Sequence, residues 1–209
     1  MVKLLLGWAL WCTLHSLLIT PTAQQRICGD HPRLQAGYRL GYICFALISL
    51  LPLLWYQQQL PQRQIFSFSG LWRLPQVLLL SYGLWMFVAG ARAYDLAFFL
   101  GLRQWRAHRQ GEPLERRFQE NGILGSIRHP WYSGGIALLW GMEPVTDLTL
   151  PVRLLLSGYL LVGTLLEERR LKQELGTPYR DYCRRVPMLF PWKGILPKKR
   201  RGRETPPED

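Results

Sequence analysis

The chain alternates between long apolar segments and shorter segments rich in arginine and lysine. A transmembrane helix needs about 20 mostly apolar residues to cross a hydrocarbon core of roughly 30 Å. Five segments approach or meet that length, at residues 1–20, 37–56, 74–91, 122–142 and 148–166. The fourth is interrupted by Arg128, His129 and Pro130. The pattern therefore predicts an all-α, polytopic membrane protein with about five transmembrane helices, the fourth of them broken.

The apolar segments have two other possible interpretations. A soluble helical bundle would show apolar stripes, whereas these segments are apolar all round, and 209 residues cannot bury so many such helices. For the first segment the alternative is a signal peptide, because Lys3 precedes the apolar stretch and a Pro-Thr-Ala sequence follows it. Proline at residue 21 suits cleavage poorly, which favours a first transmembrane helix.

The basic residues predict the orientation of the chain. Lys and Arg number 26 against 14 Asp and Glu, so the formal charge is +12. Most of them lie between the third and fourth segments or after the fifth, whereas residues 143–147 carry none. Because cytoplasmic loops are rich in Lys and Arg, the N-terminus is expected outside and the C-terminus in the cytoplasm, next to anionic lipid. No nucleic-acid partner is expected, since no recognition module accompanies the basic charge.

The chain is predicted to form one integral-membrane domain over residues 1–196, followed by a basic, disordered tail at 197–209. Its four cysteines are scattered without a CxxC pair, so no metal site is predicted. Glycine-rich phosphate loops and the common hydrolase motifs are also missing from the sequence.

The residues able to carry chemistry are concentrated in residues 122–191, beginning with the block RHPWY at 128–132. Proline suits the first turn of a helix, so a helix is predicted to begin at or near Pro130. Reaching Met142, it would be about 20 Å long and too short to cross fully. Its free amides and positive dipole end would then lie near membrane depth, where polar groups usually indicate a ligand or cavity.

Two further blocks follow. Glu167 and Glu168 come where the fifth segment ends, and their carboxylates can accept bonds from ligand hydroxyl or amino groups. The third block predicts a short amphipathic helix on which Tyr179, Tyr182 and Val186 share one face. Each block also has a purely structural interpretation, as a helix start with a snorkelling arginine, a solvated helix end or an interfacial helix.

In this order and spacing, the three blocks resemble the isoprenylcysteine carboxyl methyltransferase-like family of integral-membrane methyltransferases. The resemblance covers about a third of the chain and depends on the combination of RHP.Y, EER.L and G..Y..Y..RVP. Weaker similarity of His15-Ser16-Leu17-Leu18 and of residues 94–102 is to small bacterial members, including those that methylate thiols. The resemblance implies an S-adenosylmethionine-dependent methyltransferase that acts at the cytoplasmic face of the membrane.

The resemblance also implies roles for individual residues. The cofactor would lie between the broken helix and the C-terminal segment, and the acceptor would enter from the lipid. The residues expected to bind the cofactor are His129, Pro130, Trp131, Tyr132, Glu167 and Glu168. Arg128, next to the cofactor carboxylate, and Tyr182 and Arg185, which would close the site, are expected to assist the reaction.

Two positions depart from the family pattern. Leu124 stands where the family commonly carries tyrosine, and Gly163 stands where prenylcysteine enzymes carry an arginine that meets the substrate carboxylate. Loss of that positive charge disfavours a carboxylate acceptor, and residues 162–169 are closer to the thiol-methylating members. We therefore expect a small thiol or another lipophilic acceptor, with carboxylate and amine acceptors still open.

Two other functions are compatible with the motifs. Membrane sterol reductases, which use NADPH, resemble the C-terminal pattern, although they need more spans than 209 residues comfortably supply. A non-catalytic membrane scaffold could retain the motif as packing, since one fold can host several functions. Binding of S-adenosylmethionine, of NADPH or of neither distinguishes the three.

Overall fold

The structure is a computed structural model and describes residues 1–111, 113 and 119–192. Arg116, Arg117 and the predicted tail at 197–209 lie outside the described residues. Within the described ranges the chain forms nine α-helices, two short 3-10 turns and two short strands. The helices and strands are α1 (Val2–Leu18), α2 (Pro21–Cys28), α3 (Pro32–Gln59), β1 (Gln64–Phe66), α4 (Arg73–Ala93), α5 (Leu96–Phe99), α6 (Leu102–Gln110), α7 (Pro130–Gly141), β2 (Val145–Thr146), α8 (Thr149–Leu175) and α9 (Thr177–Arg185).

Three helical segments of the described chain are long and apolar enough to cross a bilayer, namely α3, the segment Gly70–Ala93 that contains α4, and α8. The pair α1 and α2, bent by 76°, counts as a fourth if it forms one span. Apolar side chains of α3 such as Leu47 and Ile48 are more than half exposed, as expected where lipid covers a helix. The prediction of an all-α, polytopic membrane protein is confirmed. Five spans stay a prediction, because α7 has only 12 residues.

Helices α1, α3, α4, α7 and α8 alternate in direction through the bundle. Strand β1, between α3 and α4, pairs antiparallel with β2, between α7 and α8, so these helix ends lie together. Leu4 and Trp8 of α1 pack with Leu148 and Val152 at the same end, which makes α1 part of the core. We call this the strand end. The opposite end, here called the motif end, carries residues 122–130 and 167–188.

Helix α7 is held against α4 by a close approach of small residues. A Cβ atom added at Gly83 would lie 2.6 Å from Leu138 Cγ and 2.9 Å from the Gly134 carbonyl oxygen. The reciprocal Cβ at Gly134 would lie 2.9 Å from the Gly83 carbonyl oxygen. Only glycine at both positions allows this distance, which is the usual way in which membrane helices pack tightly. The packing fixes where the first turn of α7 lies.

The predicted helix starting at Pro130 and the predicted amphipathic helix of the third block are both observed. Tyr179 and Tyr182 of α9 are buried and pack together with Val186 against Leu171 and Leu175. Helix α8 continues past the fifth apolar segment to Leu175, so both Glu167 and Glu168 lie within the helix. The two strands were not predicted. They are only three and two residues long.

Candidate functional site

The first turn of α7 is tied to the chain that follows α9. Pro130 occupies the first helical position, where its missing N–H costs nothing, and its side chain is buried. The two residues before it, Arg128 and His129, lie alongside residues 187–188. The Arg128 N–H donates to the Pro187 carbonyl at 3.0 Å, and the His129 N–H donates to the Met188 carbonyl at 3.1 Å. The first and third sequence blocks therefore form one unit.

Arg128 and Glu168 form a two-point ion pair inside this unit. Arg128 Nε donates to Glu168 Oε1 at 2.8 Å, and Nη2 donates to Oε2 at 3.0 Å. The remaining terminal nitrogen, Nη1, donates to the carbonyls of Cys183 and Val186. Paired, parallel hydrogen bonds are the strongest geometry for arginine and carboxylate. Although burial alone lowers the pKa of Arg128, the Glu168 carboxylate raises it above its usual range.

Four more side chains contact the same carboxylate, among them Lys172, whose Nζ lies 3.5 Å from Glu168 Oε2. His129 Nε2 and the Tyr179 hydroxyl each lie 2.8 Å from Glu168 Oε1, and Cys183 Sγ lies 3.4 Å from Oε2. Glu168 is only 3% exposed, so these donors replace the water that a carboxylate would otherwise bind. Burial and the nearby Glu168 carboxylate raise the pKa of Tyr179 above its usual range, which keeps its hydroxyl a donor. We call these residues the Glu168 cluster.

Glu167, the residue before Glu168 on α8, points away from the Glu168 cluster. Its side chain is 43% exposed, and its Oε2 lies 3.8 Å from His129 Nδ1. The Tyr132 hydroxyl is within electrostatic reach of the Glu167 carboxylate, and the Tyr132 ring packs edge-on against the His129 ring. One turn earlier on α8, a Cβ atom at Gly163 would lie 3.5 Å from Tyr132 Cε1. These four residues form what we call the Glu167 face.

The Glu167 face also receives the positive end of α7. The amides of Trp131 and Tyr132 belong to the first turn, where a helix has no carbonyl one turn earlier to accept their hydrogen bonds. The amide of Ser133 is the first to find one, at the His129 carbonyl 3.1 Å away. His129 thus adjoins both the exposed Glu167 carboxylate and the first turn of α7, so the face offers an acceptor for cations and, in the first-turn amides, donors for anions.

The remaining predicted residues lie outside the Glu167 face. The Trp131 side chain packs on α4, where its Nε1 donates to the Phe87 carbonyl at 3.1 Å, and a Cβ at Gly90 would lie 2.5 Å from that nitrogen. Tyr182 is buried and its hydroxyl donates to the Leu124 carbonyl at 2.6 Å. Arg185 is largely exposed and its Nη2 lies 3.0 Å from Glu120 Oε2.

The structure therefore divides the predicted site residues into three groups. Arg128, His129 and Glu168 meet in the Glu168 cluster, and Tyr132 and Glu167 lie on the adjacent face. The third group lies outside both: the Pro130 side chain is buried, Trp131 and Tyr182 bind backbone carbonyls, and Arg185 pairs with Glu120.

Sequence reasoning missed Tyr179 as a partner of Glu168. The signal was its position on the apolar face of an arginine-rich helix, where a buried hydroxyl needs an acceptor. Within the described ranges, no group of three or more His, Cys, Asp or Glu side chains is placed to hold a metal ion.

The chain is similar to several known proteins. No protein-family model matches, and no solved structure matches significantly. Methanethiol S-methyltransferase 1 of Bradyrhizobium diazoefficiens is 32% identical over 163 residues, which are 74% of this chain and 55% of that protein. Methanethiol S-methyltransferase of Mycobacterium tuberculosis is 32% identical over 166 residues, 74% of this chain and 64% of that protein.

A further relative covers more of both proteins. Methanethiol S-methyltransferase 2 of B. diazoefficiens is 31% identical over 195 residues, which are 91% of this chain and 73% of that protein. The chain thus spans between about half and three quarters of the length of these relatives. The chain belongs to the family of methanethiol S-methyltransferases, and the resemblance to the thiol-methylating members is confirmed.

Proposed function

We propose that the protein is an integral-membrane methyltransferase that transfers a methyl group from S-adenosylmethionine to a small thiol. The names of the relatives support the reaction class and the thiol. The observation that carries the proposal in this chain is the Glu167 face. There an exposed carboxylate lies 3.8 Å from an imidazole nitrogen of His129, the residue that directly precedes the first turn of α7.

The residues of the Glu167 face fit the chemical groups of S-adenosylmethionine. Free amides at a helix N-terminus suit the donor's carboxylate. The Glu167 carboxylate suits an ammonium group or ribose hydroxyls, because charge-assisted hydrogen bonds are strong. Glu167, His129, Tyr132 and the amides of residues 131 and 132 would hold the donor. When bound, the donor supplies an electrophilic methyl group, which is bonded to its positively charged sulfur.

Methyl transfer of this kind is an in-line displacement, for which correct positioning supplies most of the assistance. The Glu168 cluster holds His129 and the backbone before α7 in place, so Arg128 acts in our proposal as a positioning residue. Tyr182 fastens α9 to the Leu124 carbonyl. The largely exposed Arg185 side chain pairs with Glu120, and in our proposal it changes partner when the donor binds. Movement of Arg185 over the bound donor would exclude water from the reacting atoms.

Gly163 supports a small acceptor without a negative charge. It lies beside Tyr132 on the Glu167 face, and a residue without a side chain leaves space there. No cationic side chain stands at this position to bind an acceptor carboxylate. A thiol needs no such partner, and methanethiol is the acceptor in the relatives' names. We therefore propose methanethiol or a thiol of similar size.

We also propose that the motif end faces the cytoplasm. Described basic residues at the strand end are Lys3, Arg63 and Arg73, with Arg153 buried in the first turns of α8. Those at the motif end are far more numerous: Arg26, Arg33, Arg39, Arg92, Arg103, Arg106, Arg109, Arg128, Arg169, Arg170, Lys172, Arg180, Arg184 and Arg185. This asymmetry matches the excess of Lys and Arg on the cytoplasmic side of membrane proteins.

The full chain, purified into lipid nanodiscs, can be tested with methyl-labelled S-adenosylmethionine and methanethiol. We expect saturable donor binding, labelled dimethyl sulfide as product and no binding of NADPH. Binding of NADPH but not of S-adenosylmethionine would instead support a reductase. Binding of neither would support a scaffold and contradict the proposal.

A further inference from the structure

A second polar cluster lies inside the bundle, between α1, α3 and α8. The Tyr42 hydroxyl lies 3.0 Å from His15 Nδ1 and 2.9 Å from Nε2, and Tyr42 is buried. The Trp11 ring stacks on the other side of the imidazole, with ring centroids 4.9 Å apart. The Tyr159 ring meets the imidazole edge-on at 6.4 Å. A half-buried histidine held by three aromatic rings is costly in a membrane helix and usually marks a functional site.

A small cavity adjoins this histidine. Its volume is about 30 Å³. By the same measure a single water needs about 10–15 Å³, so the space holds a ligand of roughly two heavy atoms. The residues that line the cavity are Trp11, Leu14, His15, Tyr42, Phe45, Ala46 and Ser49. The lining is mostly apolar and aromatic, with one imidazole as its basic group. This chemistry suits a small, uncharged molecule that carries an acidic hydrogen.

One face of α8 connects the cavity with the Glu167 face. Tyr159, Gly163 and Glu167 are spaced four residues apart and therefore lie on the same side of the helix. Tyr132 contacts the middle position, and its hydroxyl is within electrostatic reach of those of Tyr159 and Tyr42. From Tyr159 to Glu167 the helix rises about 12 Å. A methyl donor held at Glu167 and extending along this face would reach toward His15.

We propose that this cavity binds the acceptor thiol and that His15 accepts its proton, an inference that rests on the proposed function. In the step, the sulfur–hydrogen bond of the thiol breaks and its proton goes to the unprotonated ring nitrogen of His15. The sulfur electron pair forms a bond to the donor's methyl carbon. The bond between that carbon and the donor sulfur breaks, and its electron pair returns to the donor sulfur, which becomes a neutral thioether. Tyr42 holds the imidazole in place.

The size of the cavity can be tested with Phe45→Ala, which removes part of its wall and so enlarges the cavity. We expect the ratio of kcat/KM for propanethiol to that for methanethiol to rise about tenfold, since one or two methylenes in an apolar pocket are worth at least that factor. The matched control is Ile48→Ala on the same helix, because Ile48 is exposed and does not line the cavity. An unchanged ratio in Phe45→Ala, or an equal change in the control, would overturn the placement of the acceptor.

The proton transfer can be tested with His15→Gln and two acceptors at mildly alkaline pH. Methanethiol must lose its proton to react, whereas hydrogen sulfide is then largely present as the hydrosulfide ion. We expect kcat with methanethiol to fall about 100-fold or more, the usual contribution of a general base, and kcat with hydrosulfide to fall less than about tenfold. Equal losses with both acceptors would overturn the role of His15 as proton acceptor, because a purely structural role affects both alike.

The two levels of the proposal fail in different ways. If the wild-type protein transfers no methyl group to any thiol, the proposed function is wrong and the acceptor site falls with it. If the wild type is active and both Phe45→Ala and His15→Gln behave like the wild type, only the acceptor site is wrong. Binding of S-adenosylmethionine to His15→Gln is expected to stay within about twofold of the wild type, since His15 lies away from the Glu167 face.

Discussion

Glu167 and Glu168 are adjacent in the chain and serve different regions of the molecule. Consecutive residues of a helix point about 100° apart, so one carboxylate turns into the Glu168 cluster and the other onto the Glu167 face. Glu168 is 3% exposed and contacted by five side chains, whereas the Glu167 side chain is 43% exposed. The comparison indicates that one glutamate holds the site together and the other is available to a ligand.

The largest expected effect comes from Glu168→Gln. The substitution removes the charge that balances Arg128 and leaves a mostly buried guanidinium without a counter-ion. We expect a loss of about 3–5 kcal/mol in the free energy of unfolding, the usual result of breaking a buried ion pair. Thermal unfolding of the purified protein in detergent measures it. The control is Glu174→Gln, which breaks an exposed pair with Arg170 and should cost no more than about 0.5 kcal/mol.

Glu167→Gln should weaken the binding of S-adenosylmethionine and leave the fold intact. Loss of a charged acceptor for the donor's ammonium or hydroxyl groups corresponds to about 1.5–3 kcal/mol, or roughly 10- to 100-fold in affinity. The KM for S-adenosylmethionine in the transfer assay reports the change. An unfolding curve shifted as far as that of Glu168→Gln would contradict the division between the two glutamates.

A smaller effect on stability is expected from Tyr179→Phe. The substitution removes one of several hydrogen bonds to Glu168 and leaves the pairing with Arg128 and His129 unchanged. A hydrogen bond to a charged group contributes about 1.5 kcal/mol at the low end, and we expect a loss of that size in the free energy of unfolding. Denaturant or thermal unfolding measures it. A variant as stable as the wild type would mean that Tyr179 is not part of the Glu168 cluster in solution.

Arg185→Ala should have the smallest effect on stability. Its pair with Glu120 is at the surface, where such pairs contribute about 0–1 kcal/mol. If Arg185 closes the site over the donor, the variant should still lose several-fold in kcat while its unfolding temperature stays near that of the wild type. An unchanged kcat would show that Arg185 does not close the site over the donor. The matched substitution Arg184→Ala, next to it on α9, controls for loss of surface charge.

The local sequence was enough to predict features that depend on local physics. Proline at residue 130 predicted where α7 begins, and the spacing of Tyr179 and Tyr182 predicted that they share one face of α9. The continuation of α8 to Leu175 could not be predicted, because Glu167 and Glu168 look like residues of a solvated helix end. Within α8, the Glu168 carboxylate is neutralised by Arg128, which is 40 residues away in sequence. A local pattern does not contain such a partner.

Contacts between distant helices were also out of reach of the sequence. The close approach of Gly83 and Gly134 depends on two glycines about 50 residues apart. His15 stood out only as part of a weak similarity in the first apolar segment. Its partners Tyr42 and Tyr159 come from α3 and α8, so the polar cluster exists only once the bundle is assembled. The fold class follows from composition along the chain, whereas the site depends on which helices meet.

The most direct test of the division between Glu167 and Glu168 is the shift in unfolding temperature that S-adenosylmethionine produces in the wild type and in Glu167→Gln. A ligand that binds only the folded state stabilises it in proportion to the logarithm of its concentration over Kd. We predict that both proteins unfold at the same temperature without donor, and that a donor concentration raising this temperature for the wild type leaves it nearly unchanged for the variant. An equal shift in both proteins would contradict the assignment of Glu167 to the donor.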